Sequence, residues 1–484
     1  MNWKGIIRNI GYALLVDALF MFLSVIVSLV EGNDSALAAL VISFTITFVV
    51  GIFPFIFVRS TNAISLKEGY VIIFLSWLLS FAFGMLPYAL WGGPFTIQNA
   101  WFESVSGFTT TGATILDDIE SLPDSLLFWR SATHFIGGLG VVVFLLLIIP
   151  SASPFRQRLT KLEVSSLFRE GVQMQTNKLV SVIASVYVGI FALATVSLFL
   201  AGMPLFDAVT HGFSLCATGG FSVRNASIAA YDSLAINIVS VVFMIVATTN
   251  FALIYTCFIR RSLKPVLTNH IARFYLNSIL ITAAIIIISL KLQGTYDSWG
   301  DAVENGLFTT ISYITTTGFA FTDNASWPFL PCMVLMYVSV QCAMAGSTSS
   351  GIKVDRMMVV FKSIRRQIMS NLHPTGTMRI RMGNTFMPDD HVLPIVLYIV
   401  LYFFIIGISM GLLLMCGVGG TEAVSGSVAC LGNVGPGLGG ISAMGNYDAM
   451  PVMAKLIFSL DMFLGRIDIY PLLIVVSLIF KKEK

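Results

Sequence analysis

Residues 216–223 read CATGGFSV, a threonine and two consecutive glycines set between long apolar runs. Related strings recur as TTTGAT (109–114), TTTGFAF (315–321) and GNVGPGLG (432–439). Aligned on Gly112, Gly219, Gly318 and Gly435, the copies are separated by 107, 99 and 117 residues. Each follows a short amphipathic stretch: FTIQNAWFESVSGF, PLFDAVTHGFSL, SWGDAVENGLFTTISYI or TEAVSGSVACL. Such stretches are too short to cross a bilayer and too apolar for ordinary loops, which predicts re-entrant helices. The unit is helix, re-entrant helix, Gly-containing strand, helix, used four times. Repetition on this scale decides the fold.

Composition supplies the setting. The chain has 484 residues, 56% hydrophobic and 11% charged, with a mean hydropathy of +0.86. Soluble domains run near a quarter charged, so this is the composition of a multi-spanning membrane protein. Candidate spans lie near 9–31, 36–58, 70–91, 126–149, 179–201, 234–258, 274–292, 329–361, 392–416 and 453–480. The first carries Asp17 and is too long for a signal-peptide core, so it reads as a retained helix. With the N-terminus in the cytosol, the inner segments hold 23 of the 28 Lys and Arg, and both termini are expected to be cytoplasmic. Six cysteines without a CxxC pair read as small hydrophobes. A net charge of +3 gives no reason to expect nucleic acid.

The expected fold class is all-α integral membrane, with four pseudo-repeats around one pore and an N-terminal helix pair. The expected units are 1–68 (helix pair), 69–175, 176–270, 271–388 with a broken second helix, and 389–484. In this arrangement the glycines have a physical reason. Carbonyl oxygens that must all face a cation need backbone angles that glycine adopts cheaply, and they then replace the ion's water shell. One copy supplies a quarter of a ring; four copies close it. The short helices would aim the negative ends of their dipoles at the cation. For a single TG pair, helix packing by small residues explains as much. Four copies in register are a different matter.

SVSGFTTTGAT, ATGGFSV, TTTGFAFTD and GNVGPGLGG, with the order of spans around them, resemble the TrkH/TrkG potassium-uptake subunits of bacteria, in the superfamily that includes KtrB and the plant HKT proteins. The resemblance covers essentially the whole chain, and its extra N-terminal pair looks like TrkH rather than KtrB. It implies a potassium filter at Thr110, Thr111, Gly112 and Ala113; Ala217, Thr218, Gly219 and Gly220; Thr316, Thr317, Gly318 and Phe319; and Asn433, Val434, Gly435 and Pro436. Its glycines map onto Gly112, Gly219, Gly318 and Gly435, preceded by Thr111, Thr218, Thr317 and Val434. A serine at the first glycine accompanies sodium selectivity in some members, so Gly112 implies potassium. The fourth copy departs most from the pattern, which implies a chemically asymmetric ring. The resemblance also implies a bacterial inner-membrane location, a homodimer and a cytosolic nucleotide-binding TrkA-type ring as partners. Potassium ions in the pore are the expected ligand, with no covalent cofactor.

Two further features concern gating. In the eighth span, apolar residues from Phe329 to Met344 give about 24 Å of helix, short of the hydrocarbon thickness. They meet Ala345, Gly346, Ser347, Thr348, Ser349, Ser350 and Gly351, followed by Lys353. The bland reading is a cytosolic turn. The functional reading is a plug lying across the pore, and the resemblance implies an intramembrane gating loop here. In the last span, SLDMFLGRIDIYPLL places Arg466 near the bilayer centre, where a charge is expensive. Either Asp461 or Asp468 pairs with it structurally, or it faces the pore as a barrier and an anchor for the plug. The resemblance implies the second. The inner basic runs FRQRLTKLEVSSLFRE, RRSLKPVLTNHIAR and FKSIRRQIMSNLHPTGTMRIRM read first as topology and anionic-lipid contact.

No HExxH, P-loop or GxSxG is present, so no enzyme is expected. The closer rival is a proton- or sodium-coupled symporter, or a sodium-permeable HKT-like transporter. Coupled carriers usually carry two repeats and acids at the midplane. Four glycine strings favour channel-like conduction.

Overall fold

The structure, a computed structural model, describes residues 1–58, 65–147, 176–373, 378–383 and 385–480. The basic run at 155–170, Arg59 and Lys481, Lys482 and Lys484 lie outside the described residues.

Helices dominate. An antiparallel pair, α1 (Trp3–Val30) and α2 (Leu37–Phe57), leads into α3 (Leu66–Gly84) and the short α4 (Leu86–Trp91). The first short helix of the repeated kind is α5 (Ile97–Phe108), followed by α6 (Asp124–Leu147). The same order recurs as α7 (Thr176–Leu200), α8 (Leu205–Ala217), α9 (Leu234–Ala247), α10 (Phe251–Arg260) and α11 (Lys264–Thr268). Next come α12 (His270–Leu292), α13 (Trp299–Ile314), α14 (Phe329–Val340) and α15 (Val354–Leu372). The chain closes with α16 (Asp389–Met415), α17 (Gly420–Gly432), α18 (Val452–Ile467) and α19 (Ile469–Phe480). A two-residue hairpin, Arg381–Met382 against Thr385–Phe386, precedes α16.

Among the described residues six helices are long and apolar enough to cross a membrane, seven if one bent pair counts as a span. The large exposed side chains of α2 (Ile42, Ile46, Val49, Phe53 and Ile56) are apolar, as a lipid-facing surface requires. The inner face of α1 is held by a polar contact as well as packing: Ser80 of α3 donates to the buried Asp17 carboxylate at 2.7 Å.

Three expected spans are not continuous. The 234–258 span bends by 105° between α9 and α10. There Thr248 and Thr249 turn their hydroxyls back onto Met244 and Ile245 carbonyls. Asn250 then caps α10 by accepting from the Ala252 and Leu253 amides. The 453–480 span breaks at Asp468, whose φ is +69°. The 329–361 span stops at Val340, four residues before the apolar run ends, at about 18 Å. Cys342 and Ala343 instead pair with Ile352 and Val354 (Cys342 N to Ile352 O 3.1 Å, Val354 N to Ala343 O 3.0 Å). These bonds close the base of a buried loop.

Candidate functional site

The four short helices α5, α8, α13 and α17 end in the same way. The residue in the left-handed region is Thr110, Thr218, Thr316 or Asn433, with φ of 53°, 56°, 55° and 52°. Its amide reaches back three residues, to Gly107, Leu215, Tyr313 and Cys430 carbonyls. The next amide reaches back five, from Thr111, Gly219, Thr317 and Val434 to Ser106, Ser214, Ser312 and Ala429 (2.9, 2.9, 3.0 and 2.8 Å). This is a Schellman-type cap, which normally places glycine at the left-handed position. A β-branched threonine there is strained, at about 1–2 kcal/mol each. Strain repeated at three matched positions, with asparagine at the fourth, points to a functional site.

Two residues beyond each left-handed residue stands a second positive φ: Gly112 (+80°), Gly220 (+85°), Gly318 (+69°) and Gly435 (+95°). An alternation of φ sign lets successive carbonyls of a non-helical segment face one side, where a strand alternates them.

The glycines meet in a ring. A Cβ on Gly112 would lie 2.2 Å from the Gly219 carbonyl oxygen, and one on Gly220 would lie 2.1 Å from that of Thr317. One on Gly318 would lie 2.1 Å from Val434 O, and one on Gly435 2.4 Å from Thr111 O. Each glycine thus abuts the carbonyl that precedes the next segment's glycine, and the fourth returns to the first. One open cavity is lined by Gly112, Gly220, Gly318 and Gly435 together.

This geometry corrects the register of the second copy by one residue. The equivalent of Gly112, Gly318 and Gly435 is Gly220, not Gly219, and Thr218 matches Thr110 rather than Thr111. The doubled glycine has two separate causes. Gly220 needs its positive φ, while a Cβ on Gly219 would sit 2.1 Å from Nδ1 of His134. The His134 ring also stacks on Phe221 at 4.2 Å. Ala113, Ala217, Phe319 and Pro436 flank the ring, all four buried. The Pro436 Cδ lies 3.0 Å from a Cβ placed on Gly318.

A buried ion pair that the sequence reading missed supports the ring from behind. Arg130 of α6 donates to Glu103 of α5 at 2.6 Å, both essentially inaccessible. It also donates to the Ser222 carbonyl at 2.8 Å and lies 3.6 Å over the Phe221 ring. Glu103 in turn accepts from the Thr114 hydroxyl and the Ile115 amide. The signal was legible in kind, an arginine inside an apolar span. Its partner, 27 residues earlier, was not.

Beneath the ring lies the loop between α14 and α15. Ala345, Ser347, Thr348, Ser349 and Ser350 are buried, while Gly346 is exposed. The Thr348 hydroxyl donates to Cys216 O at 3.1 Å, two residues before the cap of α8. A Cβ on Gly351 would meet Cys342 Sγ at 2.3 Å and Gly432 O, at the end of α17, at 3.5 Å. On its other side the loop is held by the Phe251 amide on Gly346 O (3.0 Å) and the Asn250 amide on Ala345 O (2.7 Å). Lys353 donates to Ser349 O, closing the loop on itself.

Arg466 is buried and reaches this loop. Its guanidinium donates to Thr348 O and Ser350 Oγ, both at 2.9 Å, and to Gly137 O of α6 at 3.0 Å. Neither nearby acid is its partner. Asp461 accepts from Ser409 of α16, and Asp468 is bidentate with Arg356 (3.1 and 3.0 Å) and accepts from Tyr398 at 2.7 Å. The structure therefore brings Arg466 and the 345–351 loop together and takes both acids elsewhere. All six cysteines are free.

Comparison with known proteins agrees over the full length. Residues 37–484 match the TrkH family, described as a cation transport protein. The Trk system potassium uptake protein TrkH of Salmonella typhimurium is 30% identical over 487 residues, covering both chains completely. TrkI of Halomonas elongata is 32% identical, covering all of this chain and 98% of its own. The crystal structure of the potassium transporter TrkH from Vibrio parahaemolyticus superimposes with a TM-score of 0.90 at 28% identity, covering both chains completely.

Proposed function

The chain belongs to the TrkH family of cation transport proteins, and from that premise we propose that it carries potassium across a membrane through the ring of glycine segments, gated by the loop and Arg466 beneath it. The observation that carries this reading is the cyclic approach of Gly112, Gly220, Gly318 and Gly435 to one another's carbonyls. Oxygens of Thr111, Gly219, Thr317 and Val434 replace the hydration shell of a bare cation; no protein carboxylate is needed. The four helix C-termini add negative dipole ends directed at the ring. A potassium ion entering from the cavity above is held by carbonyl dipoles weakly enough to leave again.

Exit is controlled below. Arg466 places a positive charge on the path and anchors the loop through Thr348 and Ser350. Opening requires that these bonds and the contacts to Cys216, Asn250 and Phe251 exchange for water. The chain acts as a transporter and not as an enzyme. We place it in the bacterial inner membrane with both termini cytoplasmic, as the distribution of basic residues supports. A homodimer and a cytosolic TrkA-type nucleotide-binding ring are the proposed partners. The exposed stripe Phe361, Ile364, Ile368 and Leu372 on α15 is a surface such partners would cover.

The test is rubidium influx into liposomes containing the purified protein, with potassium, sodium and proton gradients varied one at a time. Uptake inhibited by potassium and indifferent to sodium and proton gradients is expected. Uptake that needs a sodium or proton gradient would replace conduction by symport.

A further inference from the structure

A ring closed by one chain has a seam, the junction between its first and last segments. Here the seam joins residues about Thr111 and Asn433, 322 positions apart. It is also where the residue types change. At the left-handed position three copies carry threonine and the fourth carries asparagine.

The side chain of Asn433 does something the threonines do not. Its Nδ2 donates to Thr111 Oγ1 at 2.8 Å and to the Met462 carbonyl at 2.8 Å. Thr111 Oγ1 contacts Thr109 Oγ1 at 2.8 Å, and Thr109 Oγ1 reaches the Val105 carbonyl at 2.7 Å. The direction of this chain is fixed from its far end. A carbonyl can only accept, so Thr109 donates to Val105, Thr111 donates to Thr109, and a Thr111 lone pair is left for the amide. Both amide protons of Asn433 are thereby used. Its Oδ1 has no partner among the described residues and would lie 2.5 Å from a Cβ on Gly465. The site thus leaves a buried acceptor unsatisfied in order to place two donors.

In the third copy Thr317 and Thr315 make the same hydroxyl contact, at 2.9 Å. Thr316, the counterpart of Asn433 there, has no amide to extend it. In the second copy the corresponding position is Gly219, which has no side chain. Among the described residues this amide-to-hydroxyl tie to the neighbouring segment occurs at the seam, whereas the third segment reaches the fourth through the Tyr313 hydroxyl on Gly437 O at 3.4 Å. Thr111 is also the residue whose carbonyl oxygen stands 2.4 Å from a Cβ on Gly435.

We infer that Asn433 is a specificity-determining positioning residue: its amide fixes the Thr111 segment against the fourth, and so sets the placement of the Thr111 carbonyl in the ring. This rests on reading the ring as the ion site. Asn433→Thr supplies the residue the other copies carry and removes the double donor. Thr111→Val removes the same bond from the other end at nearly constant volume. Both are measured as the ratio of rubidium to sodium influx into proteoliposomes, beside Gly112→Ser and the thermal stability of each protein. Each of the two is expected to lower the ratio about fivefold, the factor that one buried hydrogen bond is worth, and the double variant is expected to fall no further than the singles. If Asn433→Thr does not fold, Thr111→Val carries the test alone. Parental ratios in folded Asn433→Thr and Thr111→Val, with the ratio of Gly112→Ser reduced, would overturn the inference. A parental ratio in Gly112→Ser as well would remove the ring itself from ion selection.

Discussion

The half of this molecule around the glycine ring and the half around the 345–351 loop obey different rules. Around the ring the four segments share backbone angles within narrow limits, down to the same two hydrogen bonds at each helix end. Toward the other side the helices that follow them diverge. Among these, α6 runs on, α9 and α10 meet at 105°, α14 and α15 are separated by a buried loop, and α18 breaks at Asp468. Closing a ring of carbonyls demands the same geometry four times, because each glycine meets the next segment's backbone. A gate has no such requirement. Symmetry belongs to the proposed ion site and asymmetry to its control.

The comparison breaks hardest at the glycines. Gly220→Ala puts a Cβ into the Thr317 carbonyl at a positive φ, and the obstacle is backbone that cannot step aside. Strain and overpacking together are expected to destabilise by about 2–5 kcal/mol, with loss of uptake and of folded protein. Gly219→Ala meets a side chain instead, so shortening His134 to alanine in the same protein is expected to restore much of the loss. Size-exclusion yield and thermal unfolding of the four variants, each glycine substitution with and without His134→Ala, decide this. Equal rescue at both positions would mean that the second segment is not locked by its neighbour.

The loop half responds in the opposite sense. Removing Gly346 to Gly351, or Arg466→Ala, is expected to raise basal rubidium flux while leaving selectivity in place. At an effective dielectric of about 20, a unit charge about 8 Å from the path adds roughly 2 kcal/mol to the barrier, or about thirtyfold in rate. The structure removes the competing ion-pair role, since Arg466 has no carboxylate partner among the described residues and truncating it strands no acid. A folded Arg466→Ala protein that conducts no faster would place the barrier elsewhere.

Asp468→Asn addresses the break between α18 and α19 through its pair with Arg356. Both side chains are partly exposed, so the stability loss should be about 1 kcal/mol. Basal flux is expected to rise, by less than in Arg466→Ala. Flux measured on the two single variants and the double variant shows whether the break and the loop act together.

The smallest effects test the symmetry most finely. Ser214 and Ser312 occupy matched positions and donate to Phe221 O and Phe319 O at 2.6 and 2.8 Å. Ser214→Ala and Ser312→Ala should each cost about 1 kcal/mol, and by the same amount within a few tenths. Unequal losses by calorimetry would show that the second and third segments are supported differently.

How much of this was legible in the sequence follows the same division. The four glycine strings, their short helices and the arginine in the last span stand out because each breaks an apolar pattern. Where two glycines adjoin, as at 219 and 220, the string fits either register, and only the approach of Thr317 and His134 decides between them. The 105° bend was hidden because Thr248, Thr249 and Asn250 are each tolerated within membrane helices. The partners of Arg466 were hidden for another reason: two are backbone carbonyls, at Gly137 and Thr348, which no residue type announces. Asp461 and Asp468 misled by proximity, since neighbours in sequence on a helix can face different helices.

The central claim is that a bare cation sits among the carbonyls of Thr111, Gly219, Thr317 and Val434. The most direct measurement is anomalous X-ray scattering from crystals of the protein grown with rubidium in place of potassium. The account predicts an anomalous peak on the axis of the ring, at oxygen-coordination distance from all four segments. Rubidium bound only at carboxylates of the surrounding loops, with none inside the ring, would contradict it.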